Sequence, residues 1–207
     1  MQYTANSLEQ HWMPFTANRE FKNNPRLIVR SEGVHYWTHT GKQILDASSG
    51  LFCCAAGHAR PEIADAVARQ LMEVDYCTHF QFGHPSSFEL ASRIAALTPE
   101  DLNHVFFVNS GSEAVDTALK IAMAYHRARG EGERQRFVSR ERAYHGVNIG
   151  GTSLSGLMRN RQAFGAVMPG IAHMRHTWMP ENRFVRGQPE TGVELADDLQ
   201  RFVDLYG

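Results

Sequence analysis

Val105-Phe106-Phe107-Val108-Asn109-Ser110-Gly111-Ser112-Glu113-Ala114-Val115-Asp116 is the stretch on which the reading of this chain turns. Its four apolar residues have the look of a buried strand, Asn109 to Ser112 of a short turn, and Glu113 onward of a helix. A strand that ends in small residues and runs straight into a helix builds an anion cup. The first N–H groups of the helix have no internal partners, the macrodipole is positive there, and Gly111 lets the backbone come close to a guest while serine hydroxyls add donors. A phosphate monoester suits Ser110, Gly111 and Ser112. Ser112 serves equally as the N-cap of its own helix, and this segment alone does not choose between the two.

Outward from the cup, Phe137-Val138-Ser139 and Ile171-Ala172-His173-Met174 are further short apolar runs with the look of buried strands. Strands alternating with helical segments predict an α/β domain. Ser86 with Glu89, and Thr191 with Glu194, have capping-box spacing before apolar residues at helical intervals. Pro61 opens another helix, with Ile63, Ala66, Val67, Leu71 and Val74 on one face. Leu27 to Asp46 reads as a hairpin turning at His39-Thr40-Gly41-Lys42. Residues 1–26 form a polar arm whose island His11-Trp12-Met13-Pro14-Phe15 needs a surface to cover it. The charged stretch Arg127 to Arg136 reads as a solvated helix end and loop.

The 207 residues carry 21 Lys+Arg against 22 Asp+Glu. That balance provides no bulk attraction to nucleic acid or anionic lipid, so an anion must be held by a local site. Met1 to Gln10 lack the pattern of a secretory leader, and no segment stays apolar for the roughly 20 residues a membrane span needs. With three cysteines, Cys53, Cys54 and Cys77, that cannot all pair, the expectation is a cytoplasmic protein. No histidine or cysteine spacing matches a metal site, and His58, His35 with His39, and His173 with His176 are read as structural.

Rival phosphate grips are missing: no G-K-[ST] follows a glycine-rich turn and no G-x-G-x-x-G follows a strand. A serine nucleophile elbow is not met either, because Ser155 occupies a glycine position in Gly151-Thr152-Ser153-Leu154-Ser155-Gly156. Tyr144-His145-Gly146 closes the turn after the next predicted strand and should reach the same sheet edge as the cup. Tyr144 would then stack on a flat ring whose phosphate lies in the cup, with His145 adjusting its surroundings.

Taken together, these features resemble the class III aminotransferases, in particular the omega-amino acid:pyruvate (β-alanine:pyruvate) branch. The landmarks run in the family's order: His11 to Thr16, Asp46 to Phe52, Gly57-His58, Phe80 to Pro85, Asn109 to Asp116 and Tyr144 to Gly146. The resemblance implies fold type I of the pyridoxal-phosphate (PLP) enzymes, with an N-terminal arm and small-domain segment at 1–60 and the first half of the large α/β domain at 61–207. It implies PLP held by Ser110, Gly111, Ser112, Tyr144 and His145, and a substrate pocket walled by Phe15 and Phe52. Relatives often carry tryptophan where Phe52 stands. It further implies a homodimer that passes an amino group from an omega-amino acid or amine to pyruvate.

Such chemistry needs a lysine to carry the cofactor and a carboxylate beside the pyridine nitrogen. Lys22, Lys42 and Lys120 are not placed for that role, so the lysine and the aspartate are expected beyond Gly207, and the chain by itself is expected to be inactive. The alternative from another class is a non-catalytic dimerising or phosphate-binding module. A serine hydrolase using Ser110 or Ser112 with His145 is a third reading.

Overall fold

β-Branched and aromatic residues between Ile28 and Leu45 fold into a three-stranded antiparallel sheet, β1 (Ile28–Glu32), β2 (His35–Thr38) and β3 (Gln43–Leu45), in that order. The expected turn closes β2 on β3: the Thr38 N–H donates to Lys42 C=O and the Gly41 N–H to Thr38 C=O, both at 2.9 Å. A computed structural model describes residues 8–165 and 168–207. The first seven residues of the arm lie outside the described residues. The contacts of the chain divide it into two units, Met1–Leu90 and Ala91–Gly207.

In the first unit the arm leads through α1 (Asn18–Asn23) into the sheet, which is followed by a single turn, α2 (Ser49–Phe52), and by α3 (Pro61–Glu73). Pro61 occupies the first turn of α3, where a missing N–H costs nothing. Helix α4 (Pro85–Ala95) runs across the boundary between the units. It starts two residues earlier than its Ser86/Glu89 pattern predicted, at Pro85 rather than Ser87, and His84 Nδ1 accepts the Ser86 N–H at 3.2 Å. Pro85 explains the shift, since its fixed φ favours the first helical position.

The second unit opens with α5 (Gly111–Ala128) and continues β4 (Phe137–Arg140), α6 (Ile149–Leu154), α7 (Met158–Phe164), β5 (Ile171–Met174), a 3₁₀ turn (Pro180–Asn182) and α8 (Glu194–Tyr206). Strands β4 and β5 pair in parallel, joined through α6 and α7. Short, small-residue α6 is buried from Gly150 to Leu154 and packs on β4, β5 and α5. Among the described residues, Leu154, Met174 and Leu195 are the buried apolar side chains of this unit.

Two expectations fail in this unit. Val105–Val108 is not a strand: a ladder needs a neighbour's N–H and C=O groups, and none of the described residues pairs with this run. Helix α8 forms without the predicted cap, because the Thr191 hydroxyl is engaged by Asn182 Oδ1 at 2.9 Å. The glutamate half is lost as well: Glu194 is the first residue of α8, and its Oε2 accepts the Gly192 N–H at 3.0 Å rather than that of Thr191.

Candidate functional site

Helix α5 begins in a capping box. Ser110 is the N-cap, its hydroxyl oxygen accepting the Glu113 N–H at 3.2 Å, while Glu113 Oε2 reaches back to the Asn109 N–H at 2.8 Å. The alternative in which Ser112 caps the helix is therefore wrong. Ser110 has the extended backbone that a cap requires and Ser112 lies inside the first turn. The box leaves the N–H groups of Gly111 and Ser112 without a partner among the described residues, and a Cβ placed on Gly111 would meet no atom within 4 Å. Two free amides with open space beside them remain at the positive end of an 18-residue helix.

The loop after β4 comes to this spot. The Val147 N–H donates to Ser112 Oγ at 3.0 Å, so the Ser112 hydroxyl proton remains available for a guest. Gly146 makes the approach possible: its φ is +107°, and a Cβ there would lie 2.8 Å from Ser112 Oγ and 2.9 Å from Ser112 Cα. Any larger residue would push the loop off the cup. Tyr144 is two residues back along the chain, at most about 7 Å, and 56% of it is exposed. The Tyr144 backbone therefore lies near the cup, with its side chain half exposed. Asp116, one turn further along α5, fastens the arrangement by accepting the Gly151 N–H at 3.1 Å from α6.

His145 turns towards the sheet. Its Nε2 lies 2.9 Å from the hydroxyl of Ser139, a buried residue of β4. That contact removes it from Ser110 and Ser112, so no Ser–His hydrolase pair forms there. The Gly151–Gly156 serines are no better placed, since Ser155 is fully buried and the Ser153 hydroxyl donates to Ile149 C=O at 2.7 Å.

Phe15 and Phe52 lie in the first unit, 81% and 85% exposed, both with positive φ. Phe52 ends a turn in which Ser49, Gly50, Leu51 and Phe52 have φ of 52°, 59°, 56° and 71°. Left-handed backbone costs a non-glycine residue roughly 1–2 kcal/mol, so this turn persists only because its surroundings impose it. The imposing group is Asp46, to which the sequence pattern assigned no role. Its carboxylate accepts the Gly50 N–H at 2.6 Å, the Ser48 N–H at 3.2 Å and the Ser48 hydroxyl at 3.1 Å, and lies 2.8 Å from His58 Nε2. The His58 contact, helped by those hydrogen bonds and opposed by burial, holds the Asp46 pKa down to about 2. The Tyr36 ring lies against His58 at 4.4 Å, and its hydroxyl pKa is raised by burial and by the nearby Asp46 carboxylate. A clue was available: an aspartate at the end of a predicted hairpin, followed two and twelve residues later by Ser48 and His58.

The residues of the cup suit PLP. Free amides and hydroxyl protons at a helix N-terminus match a phosphate, and an exposed tyrosine ring at its rim matches a flat heteroaromatic ring.

Comparison with known proteins gives the family and the fold. The aminotransferase class-III family model matches residues 16–201. The chain is 51% identical over 205 residues to an omega-aminotransferase of Caulobacter vibrioides, covering 99% of this chain and 47% of that protein. It is 49% identical over 201 residues to a beta-alanine–pyruvate aminotransferase of Pseudomonas aeruginosa, covering 97% and 45%. Among solved structures, an (S)-enantioselective omega-transaminase from Thermomicrobium roseum superposes with a TM-score of 0.88 at 33% identity, over 99% of this chain and 46% of that one. A PLP-bound amine transaminase from an uncultivated Pseudomonas species gives 0.87 at 31% identity, over 96% and 46%. The chain spans about half the length of the curated relatives it matches.

Proposed function

This chain belongs to the class III aminotransferases, with the α/β fold of the fold type I transaminases, and from that premise we propose that the whole protein moves an amino group from an omega-amino acid or amine, such as β-alanine, to pyruvate. The observation that carries the proposal is the Val147–Ser112 hydrogen bond, which brings the Tyr144 loop onto an anion cup with free donors. The names of relatives support the reaction, three of them pairing an amino donor with pyruvate.

In this reading the Gly111 and Ser112 amides and the Ser110 and Ser112 hydroxyls donate to the cofactor phosphate, and the Tyr144 ring lies against the pyridine. His145, tied to Ser139, sets the rear of that ring's surroundings. When bound, PLP supplies the electron sink for the carbon that carries the amine. Phe15 and Phe52 wall the donor pocket. Residues 1–60 act as arm and small-domain segment, and 61–207 as the opening of the PLP domain. Lys120 stands about 12 Å down α5 from Ser112, and the Lys22 ammonium donates to Glu9 C=O at 2.6 Å. Neither takes the cofactor-carrying role, which falls to a lysine outside residues 1–207. The working protein is a homodimer.

The test is an absorbance scan of the whole protein with added PLP, followed by turnover of β-alanine with pyruvate. A visible cofactor band and stoichiometric alanine are expected. Whole protein that binds PLP but forms no alanine from any omega-amino donor would refute the reaction, and absence of the band would refute the cup as well.

A further inference from the structure

We propose that Asp46 is a positioning residue that sets donor preference by locking the left-handed Ser49–Phe52 turn and so aiming Phe52. The inference rests on the proposed function, in which Phe52 walls the donor pocket.

The segment from Asp46 to His58 is fastened to the three-stranded sheet at both ends. At one end the Asp46 N–H donates to Val34 C=O at 2.9 Å. At the other, His58 and Gly33 exchange both backbone hydrogen bonds, at 2.8 and 3.1 Å. Between these anchors the Asp46 side chain, 5% exposed, and the His58 side chain, 8% exposed, face each other as a buried pair. Ser48 and Gly50 are gathered onto that carboxylate.

Its Gly50 contact falls in the middle of the left-handed turn, which is closed by the Phe52 N–H on Ser48 C=O at 2.9 Å and the Cys54 N–H on Ser49 C=O at 2.8 Å. Space below the turn is filled: a Cβ on Gly50 would come within 3.3 Å of both Cys54 Sγ and the Tyr36 hydroxyl oxygen. Leu51 and Phe52 are left projecting from a backbone that ordinary residues avoid. A flexible loop would let an exposed phenylalanine sample many directions. This one permits few, because releasing the turn would leave a buried carboxylate with unmet hydrogen bonds. The arrangement trades intrinsic backbone preference for a fixed aromatic direction, as strained segments at functional sites do.

The experiment is a double-mutant cycle on the whole protein loaded with PLP, reading the ratio of kcat/KM for an arylalkylamine to that for β-alanine. Asp46→Asn keeps the size of the side chain but puts an amide donor among N–H donors. It is expected to change the ratio about tenfold, as small misplacements of pocket groups do. Phe52→Ala should also change it, and Asp46→Asn added to Phe52→Ala should move it less than about twofold, since the two act through one side chain. A merely structural role would lower the yield of folded enzyme for both donors alike and leave the ratio alone. If Phe52→Ala changes the ratio but Asp46→Asn does not, or the two effects multiply independently, the positioning role is overturned while the pocket reading stands. If Phe52→Ala changes nothing, both fall. Should Asp46→Asn fail to fold, Gly50→Ala decides by the same cycle, because it disturbs the turn and leaves the carboxylate in place.

Discussion

Ser112 serves two neighbours at once, because its single hydroxyl both receives the Val147 N–H and keeps a proton for a guest. Ser112→Ala should weaken PLP binding to the whole protein by about 1.5–3 kcal/mol, roughly ten- to hundredfold in Kd, as expected for a hydrogen bond to a charged acceptor. Titration of cofactor-free protein by absorbance measures it. Tyr144 separates stacking from hydrogen bonding: Tyr144→Phe should retain affinity, and Tyr144→Ala should lose about 0.5–1.5 kcal/mol beyond the loss of buried area. Equal affinity for the two variants in the same titration would place the ring away from the cofactor. Gly146→Ala would drive a Cβ to 2.8 Å from Ser112 Oγ. Its expected result is a lowered unfolding temperature together with weakened PLP binding, since loop and cup meet at that atom.

Between secondary-structure elements, helix α8 is held to the end of β5 by Arg175 and Asp198. The guanidinium donates from Nε and from a terminal nitrogen to both carboxylate oxygens, at 2.8 to 3.1 Å, and the Arg175 N–H adds a further bond at 3.0 Å. Leu195 is buried beside this clamp. The Arg175 hydrogen bonds hold the Asp198 pKa down to about 2 from an ordinary value of 3.8. A depressed carboxylate stabilises the folded form fully above its unfolded pKa and loses that contribution as pH falls through the folded one. The difference in unfolding temperature between the whole protein and its Asp198→Asn variant should therefore hold steady above pH about 4 and shrink towards pH about 2. A difference that grew on acidification would contradict the clamp. Asp46 contributes with the same sign over the same window. Helix caps keep or lose their spacing patterns according to their neighbours: Ser110 and Glu113 form the box that the spacing allows, whereas His84 and Asn182 displace the expected roles of Ser86 and Thr191.

Across the chain as a whole, the governing quantity is surface. Trp12, Phe80, Phe106 and Phe184 are among the large apolar side chains left open. Residues 1–207 produced alone should accordingly aggregate and turn over no β-alanine, as light scattering and an alanine assay would report; a soluble, active preparation would contradict this. Much of the molecule was legible beforehand, because local chemistry is written in short stretches. The turn between β2 and β3, the helices and the small-residue entry to α5 follow from periodicity and turn residues, whereas the extra turn that makes the Leu27–Asp46 hairpin a three-stranded sheet does not. Features that depend on partners distant in sequence were not legible. Val105–Val108 has the composition of a strand, but only a neighbouring strand can make it one. The destination of His145 was set by Ser139, and the left-handed turn at Phe52 by a buried carboxylate that no local pattern announces. Sequence alone determined where a small-residue turn enters a helix and where a tyrosine follows the next strand; tertiary structure decided which hydroxyls and amides at that turn were left free, because each donor's availability depends on what packs against it.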